Sequence, residues 1–432
     1  MTDMRIENVG IVGLGYVGLP LVLAFAASGL HTVGYDTSVE RVHAISQGRS
    51  PIGDVTDAAL TDALTAGSFL ASCDSAILDG VDAAIICVPT PVTAARSPDI
   101  SFIEEACNTI AHHLHRGELV VLESTSFPGT TEEVALPILE SKGLKAGRDF
   151  WLAFSPERTD PGNKTYGLHN TPKIVGGIDK ESTSRAAELY GSIVPEVVKV
   201  SSTQAAEMAK LLENTFRLVN VSLVNELAMF CERTGLDIWE VIGAAKTKPY
   251  GFMAFYPGPG IGGHCIPVDP FYLLWKAKLS GLDLTFVEAA ERTLDGAAAH
   301  LVELVMRALN SRSQSLKGAK VLLLGVAYKK NIGDLRESPA IKAILELEKW
   351  GAEVTYYDAH VPSCDIDGRT LVSLPKLDGS ELSAVDCVVV MTDHTDVNYD
   401  TVVQNARLVV DTRGICSTPH DNVWRLGDGT HR

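Results

Sequence analysis

Short unbroken apolar runs recur along the first half of the chain, each closed by glycine, proline or a small polar residue. They start at Asn8 and end in Gly13, then return at Thr32–Tyr35, Ala83–Val88, Leu119–Leu122, Trp151–Phe154, Lys173–Val175 and Val197–Val200. A strand with one wet face alternates apolar and polar residues, whereas a strand covered on both faces reads as a continuous apolar run. Helix-like stretches separate most of these runs, so the pattern predicts an α/β domain with a doubly wound sheet over residues 1–200. A long helical region begins near Ser201, where Ser201 and Gln204 fit a capping box, and stops at Gly235. Helical character resumes from Phe271 to about Asn310, and Ser311–Lys317 reads as an exposed join. A second strand-turn-helix unit opens at Lys320–Leu324, with Ser338 and Pro339 as N-cap and first helical residue, followed by apolar runs at Glu353–Tyr357, Cys387–Met391 and Leu408–Val410. The expected division is an α/β domain over 1–200, a helical domain over 201–312 and a smaller α/β domain over 313–432.

The first turn carries chemistry. The run from Asn8 enters Gly13, Gly15 and Gly18, a helix-like stretch follows to Gly29, and the run Thr32–Tyr35 ends in Asp36. Strand, glycine turn, helix and a later acidic residue together make a Rossmann dinucleotide site, with the pyrophosphate on the helix N-terminus and the carboxylate on the ribose. An aspartate there repels a 2′-phosphate, so NAD is expected rather than NADP. Val9–Leu30 holds no charged residue and is long enough to be taken for a membrane span, but its glycines and Pro20 fall at strand-turn-helix positions. The ends of later runs carry polar turns, at Pro89-Thr90, Ser124-Thr125-Ser126 and Ser155-Pro156-Glu157, at the edge of an α/β sheet where ligands bind.

Two further segments stand out. In the long helix, helical spacing sets Lys210, Asn214, Arg217, Val221 and Asn225 along one stripe of an otherwise apolar segment, and interior asparagines are poor helix residues unless they satisfy something. The loop Phe255–Asp269 sets Cys265 among Gly258, Gly260, Gly262 and Gly263, stiffened by Pro257, Pro259 and Pro267. Those glycines allow positive φ and close approach of main chain to a ligand, and a thiol there is placed to attack a bound group. The alternative reading of this loop makes Cys265 a small buried hydrophobe and Asp269 only the N-cap of a helix whose first residue is Pro270. In the last domain Lys329, Lys330 and Arg336 supply cations on a turn.

Composition narrows the partners. Apolar residues make up 46% and charged residues 21% of 432 residues, the balance of a globular enzyme. A net charge of −17 without any lysine or arginine run argues against nucleic acid. Eight cysteines lack metal-ligand spacing, so no metal or disulfide framework is expected, and with no signal-like start the natural setting is a reduced cytoplasm.

Five ordered motifs resemble the UDP-glucose/GDP-mannose dehydrogenase family over nearly the whole chain: Gly13-Leu-Gly-Tyr-Val-Gly-Leu-Pro20, Ser155-Pro-Glu157, Glu207–Asn214, Gly262-Gly-His-Cys-Ile-Pro-Val-Asp269 and Ala327–Pro339. The resemblance implies two Rossmann-like domains joined by a central helical dimerisation region, and at least a homodimer. It implies oxidation of a sugar C6 hydroxymethyl to a carboxylate at the expense of two NAD⁺, through a thiohemiacetal and a thioester on Cys265. Lys210 and Asp269 are then expected to hold the water or alkoxide, and Thr125, Glu157 and Asn214 to position the hydrolytic water. Cofactor contacts are implied for Gly13, Gly15, Tyr16, Val17, Gly18, Asp36, Arg41, Pro89, Thr90, Thr125 and Arg336. Substrate contacts are implied for Glu157, Arg158, Lys210, Asn214, Arg217, Tyr256, Gly260, Gly262, Gly263 and Lys329. The strings Ser155–Asn163 and Pro249–Asp269 look most like the UDP-N-acetylhexosamine branch, UDP-GlcNAc ahead of UDP-ManNAc, with UDP-glucose the alternative. Pro161 stands where some members carry a second glutamate.

Overall fold

A computed structural model of the chain describes residues 6–93, 96–160, 163, 165–263, 265–416 and 418–429. Pro161 and His264 lie outside the described residues. The chain packs as two units, one formed by Met1–Glu213 with Phe271–Leu282 and the other by Asn214–Pro270 with Asp283–Arg432.

The first unit holds an eight-stranded sheet: β1 (Asn8–Val12), β2 (His31–Tyr35), β3 (Phe69–Ser72), β4 (Ala83–Ile86), β5 (Leu119–Leu122), β6 (Trp151–Phe154), β7 (Lys173–Gly177) and β8 (Val197–Lys199). Its order is β3-β2-β1-β4-β5-β6-β7-β8, and the direction of the chain switches sides at β1, the place where a Rossmann sheet binds its dinucleotide. The unbroken apolar runs are explained by burial on both faces. Ile11, Ile85, Val121 and Ala153 point to one core, while Val12, Ile86, Leu122 and Phe154 point to the other. Every pairing is parallel except β6 with β7, where Ala153 faces Gly177 and Phe154 faces Gly176 in antiparallel register. Val9–Leu30 becomes β1, the glycine turn and a helix, Gly18–Ala27. Among the described residues no helix is long and apolar enough to cross a membrane.

The second unit holds β9 (Lys320–Leu324), β10 (Glu353–Tyr357), β13 (Cys387–Val390), β14 (Val409–Asp411) and β15 (Val423–Arg425) in a parallel sheet of order β10-β9-β13-β14-β15, with a separate hairpin of β11 (Ser363–Ile366) and β12 (Arg369–Val372). It repeats one device of the first sheet. Asp36, just past β2, accepts the Leu14 N–H at 2.8 Å, and Asp358, just past β10, accepts the Val326 and Ala327 N–H groups at 2.7 and 3.0 Å.

The long helix spans Thr203–Thr234 and ends at Gly235, whose φ of 81° suits only glycine well. Its cap is Ser202 rather than Ser201: the Ser202 hydroxyl accepts the Ala205 N–H at 3.2 Å, because the capping residue must directly precede the first helical one. The region expected as one helical stretch to Asn310 is three helices, Asp269–Leu279, Thr285–Asp295 and Ala297–Asn310, broken at Gly281 (φ 73°) and Gly296. Asp269 opens the first of these as a helical residue and does not precede it.

Candidate active site

Three glycines of the first turn do three different jobs. Gly13 has φ 96°, and a Cβ on it would stand 2.6 Å from the Cys87 carbonyl oxygen. A Cβ on Gly18 would stand 1.8 Å from the Gly13 carbonyl oxygen, so that glycine lets helix and strand close together. A Cβ on Gly15 would meet nothing within 4 Å. Gly15 therefore faces open space, and Tyr16 beside it is exposed. Asp36, 5% exposed, is held by the Leu14 N–H, the Ser38 N–H at 2.9 Å and the Arg41 guanidinium at 2.8 Å. The glycine turn and the buried Asp36 carboxylate fit a dinucleotide site.

The edge of β4, β5 and β6 carries the other expected groups of this unit. The Thr90 carbonyl accepts the Tyr272 hydroxyl at 2.6 Å, which fixes the Pro89-Thr90 turn. Thr125 is half-buried just past β5, and Glu157 is half-buried just past β6. One Glu157 oxygen accepts the Thr159 N–H, and the other lies 3.5 Å from the Lys173 ammonium. Lys173 in turn pairs with Glu123, whose second oxygen accepts the Tyr190 hydroxyl at 2.7 Å. Burial pulls the Lys173 ammonium down to about 7 and pushes the nearby Cys87 thiol up to about 12. Lys210 is 6% exposed and makes no hydrogen bond or ion pair with the described residues. Arg158 is held by its own unit. Its guanidinium donates to Glu213 at 2.6 Å and to the Pro172 carbonyl at 2.6 Å.

In the second unit Asn214 and Asp269 meet: the Asn214 amide donates to the Asp269 carboxylate at 2.5 Å, with both side chains buried. Cys265 is exposed one turn ahead, its carbonyl accepting the Val268 and Asp269 N–H groups at 3.2 and 2.8 Å. The glycines of this loop answer to packing as well as to any ligand. A Cβ on Gly262 would lie 2.5 Å from Tyr328 Cβ, and the Gly263 N–H donates to the Arg336 carbonyl at 2.8 Å. Asn225 accepts the Gly258 N–H at 2.9 Å, so this stripe residue holds the loop. Tyr256 stacks on Trp239. Lys329 is half-buried on the turn after β9, and Arg336 is clasped by Asp334 at 2.6–3.1 Å. Arg217 is exposed, and Asn220 satisfies the Phe216 carbonyl of its own helix.

Four residues escaped the sequence reading: Glu123, Lys173, Tyr190 and Arg413. Arg413 donates to the Met391 carbonyl at 2.6 Å, and its guanidinium lies 3.0 Å from where a Gly258 Cβ would be. A charge opening a buried strand was the available signal for Lys173, and a polar turn directly after β14 was the signal for Arg413. His360, His394 and Asp396 also gather within 4.8 Å. Both His394 nitrogens are occupied, Nδ1 by the Asn331 N–H and Nε2 beside Asp358, so this group reads as a hydrogen-bonded cluster.

Comparison with known proteins matches three models of one family in order: the NAD binding domain over residues 7–194, the central domain over 204–294 and the UDP binding domain over 322–418. The chain belongs to the UDP-glucose/GDP-mannose dehydrogenase family. It is an NAD-dependent nucleotide-sugar dehydrogenase. A UDP-N-acetyl-D-mannosamine dehydrogenase of Pyrococcus horikoshii is 35% identical over 418 residues, covering 95% of this chain and 96% of that one. A UDP-N-acetyl-D-glucosamine 6-dehydrogenase of Pseudomonas aeruginosa is 37% identical over 368 residues, covering 84% and 85%. The solved structure of UDP-D-ManNAc dehydrogenase from Pyrococcus horikoshii superposes with a TM-score of 0.90 at 34% identity, covering 98% of this chain and 100% of that one.

Proposed function

We propose that this enzyme oxidises the C6 hydroxymethyl of UDP-GlcNAc to the carboxylate in two successive hydride removals. The overall balance is RCH₂OH + 2 NAD⁺ + H₂O giving RCOO⁻ + 2 NADH + 3 H⁺. The observation that carries the reading is the exposed Cys265 thiol one turn ahead of the buried Asn214–Asp269 pair.

The Gly13–Gly18 turn and Asp36 would hold NAD, which would supply the hydride acceptor. Lys210, whose ammonium is unpaired among the described residues, stabilises the C6 oxygen as its proton leaves, and Asp269 orients the water that takes that proton. Cys265 adds to the aldehyde carbon, so the reactive aldehyde is held as a thiohemiacetal until the second hydride departs and leaves a thioester. Glu157 and Thr125 then position water for hydrolysis, with Asn214 supporting Asp269. Lys329 and the turn around it meet the diphosphate. UDP-ManNAc is the second reading, favoured by the full-length match to the archaeal relative.

The protein is further proposed to act in a reduced cytoplasm, which eight cysteines scattered without a disulfide-framework or metal-ligand spacing support, and to assemble as at least a homodimer. The long helix supports the assembly: Met208, Leu212, Phe216, Leu223, Leu227 and Phe230 are 37–60% exposed along it.

NADH formed at exhaustion of limiting UDP-GlcNAc, UDP-ManNAc or UDP-glucose tests the reading. Two NADH per UDP-GlcNAc, lost in Cys265→Ala, is expected. One NADH refutes the thioester route and turns the enzyme into a single-step dehydrogenase; turnover confined to UDP-glucose refutes the N-acetyl assignment.

A further inference from the structure

A buried polar chain lies under Glu157 that the reaction above does not use. Tyr190 donates to Glu123, Glu123 pairs with Lys173, and Lys173 reaches the Glu157 oxygen that the Thr159 N–H leaves unheld. Glu123 and Lys173 are 1% and 2% exposed, and Tyr190 is fully buried. The reversal of β7 creates the contact. Phe154 faces Gly176 in the antiparallel pair, and carrying that register three residues on sets Lys173 opposite Glu157. A parallel β7 would have sent its first residue to the far edge of the sheet.

Stability alone does not account for this chain. A buried ion pair offsets its desolvation cost only in part, and apolar residues of the same volume serve a core at least as well. The Lys173–Glu123 pair is neutral as a unit whichever partner holds the shared proton. It therefore leaves the negative charge of the cluster on Glu157, and it restrains that carboxylate at its second oxygen.

We infer that Lys173, anchored by Glu123 and Tyr190, is the positioning residue that aims Glu157 at the hydrolytic water, so the network governs release of the acid and leaves the two hydride transfers alone. In that step a water proton passes to Glu157, the water oxygen bonds to the thioester carbon, the C–S bond breaks and Cys265 leaves as thiolate. This rests on the thioester reading of the previous subsection. Misaiming a group by about 1 Å costs on the order of 10²-fold, and that is the expected loss in the hydrolytic step.

The test is stopped-flow NADH formation at high enzyme with UDP-GlcNAc, on wild type, Glu157→Gln, Lys173→Arg and the double variant Lys173→Met/Glu123→Gln, which leaves no unpaired charge inside. The double variant is expected to release two NADH per site in a burst near the wild-type rate, then turn over about 10²-fold more slowly, with the sugar acid retained on Cys265 by intact mass. Glu157→Gln is expected to do the same, and Lys173→Arg to recover most of the steady-state rate. If the double variant does not fold, Tyr190→Phe, which removes only one hydrogen bond at constant shape, is expected to show the same burst with a smaller slowing. A folded double variant with wild-type turnover overturns the inference, as does a burst slowed in parallel with turnover. A wild type that forms one NADH per sugar overturns the thioester reading and this inference together, which distinguishes the two failures.

Discussion

Adding one methyl group at Gly15 separates binding from folding. No protein atom lies within 4 Å of the Cβ site, and the backbone there is not in the left-handed region. Without the dinucleotide, Gly15→Ala is thus expected to be neutral or to gain about 0.4–1 kcal/mol, since alanine restricts the unfolded chain. With it, the methyl occupies the space the pyrophosphate needs. Forcing a methyl into a close contact costs about 1–3 kcal/mol, and about 2 kcal/mol weakens NAD binding roughly 30-fold.

The difference is read as ligand-induced stabilisation. At NAD about 100 times the wild-type Kd, binding stabilises the wild type by about 2.7 kcal/mol, and a 30-fold weaker site keeps about 0.9 kcal/mol. Thermal melts with and without NAD, beside NADH fluorescence titration, give both numbers. Gly18→Ala is the contrast: its Cβ would sit 1.8 Å from the Gly13 carbonyl, so the melt without NAD is expected to fall. A Gly15→Ala enzyme that binds NAD within twofold of wild type, or melts as low as Gly18→Ala without ligand, refutes the assignment of open space to the pyrophosphate.

Lys210→Met is expected to melt at or above the wild-type temperature, because it removes a buried ammonium that has no partner among the described residues, while kcat falls about 10²–10⁴-fold; a large loss of stability would mean the cation is structural. Leu223→Glu with Phe230→Glu, at 50% and 55% exposure, is expected to shift the mass in light scattering toward monomer, and an unchanged mass would move the interface off this helix. Glu118 supplies a pH test. Burial raises its carboxyl to about 8 from 4.5, so the folded state keeps a proton that the unfolded chain loses, and stability declines as pH rises through that window. Glu118→Gln keeps an oxygen for the His115 N–H, and urea melts are expected to show a gain over wild type that is largest above about pH 8 and absent below about pH 4.5. A gain independent of pH would refute the buried proton.

The inner strands of the two sheets were legible because they are covered on both faces, and such strands announce themselves as unbroken apolar runs. The runs at Leu119–Leu122, Trp151–Phe154, Lys320–Leu324 and Glu353–Tyr357 became strands with those limits. β3 and β15 are edge strands and β11 and β12 form a separate hairpin; each is short and lacks a run long enough to read. The site residues divide on similar lines. Cys265 and the glycine turn are marked by local composition, and Asp36 by its distance along the chain from that turn. Side-chain partners carry no such mark: Arg158 closes an ion pair with Glu213, and Asn220 donates to the Phe216 carbonyl of its own helix.

Strand direction leaves no mark on composition. The run at Lys173 reads the same whether β7 lies parallel or antiparallel to β6, since both faces are covered either way. What differs is the edge at which its first residue appears, and that edge decides whether a lysine is wasted at the closed side of the sheet or faces Glu157. The antiparallel pairing is thus the one topological fact that converts a charged residue at a strand end into part of a carboxylate's surroundings. The cost of burying Lys173 and Glu123 together falls on the first unit, beside the carboxylate on which acid release is proposed to depend.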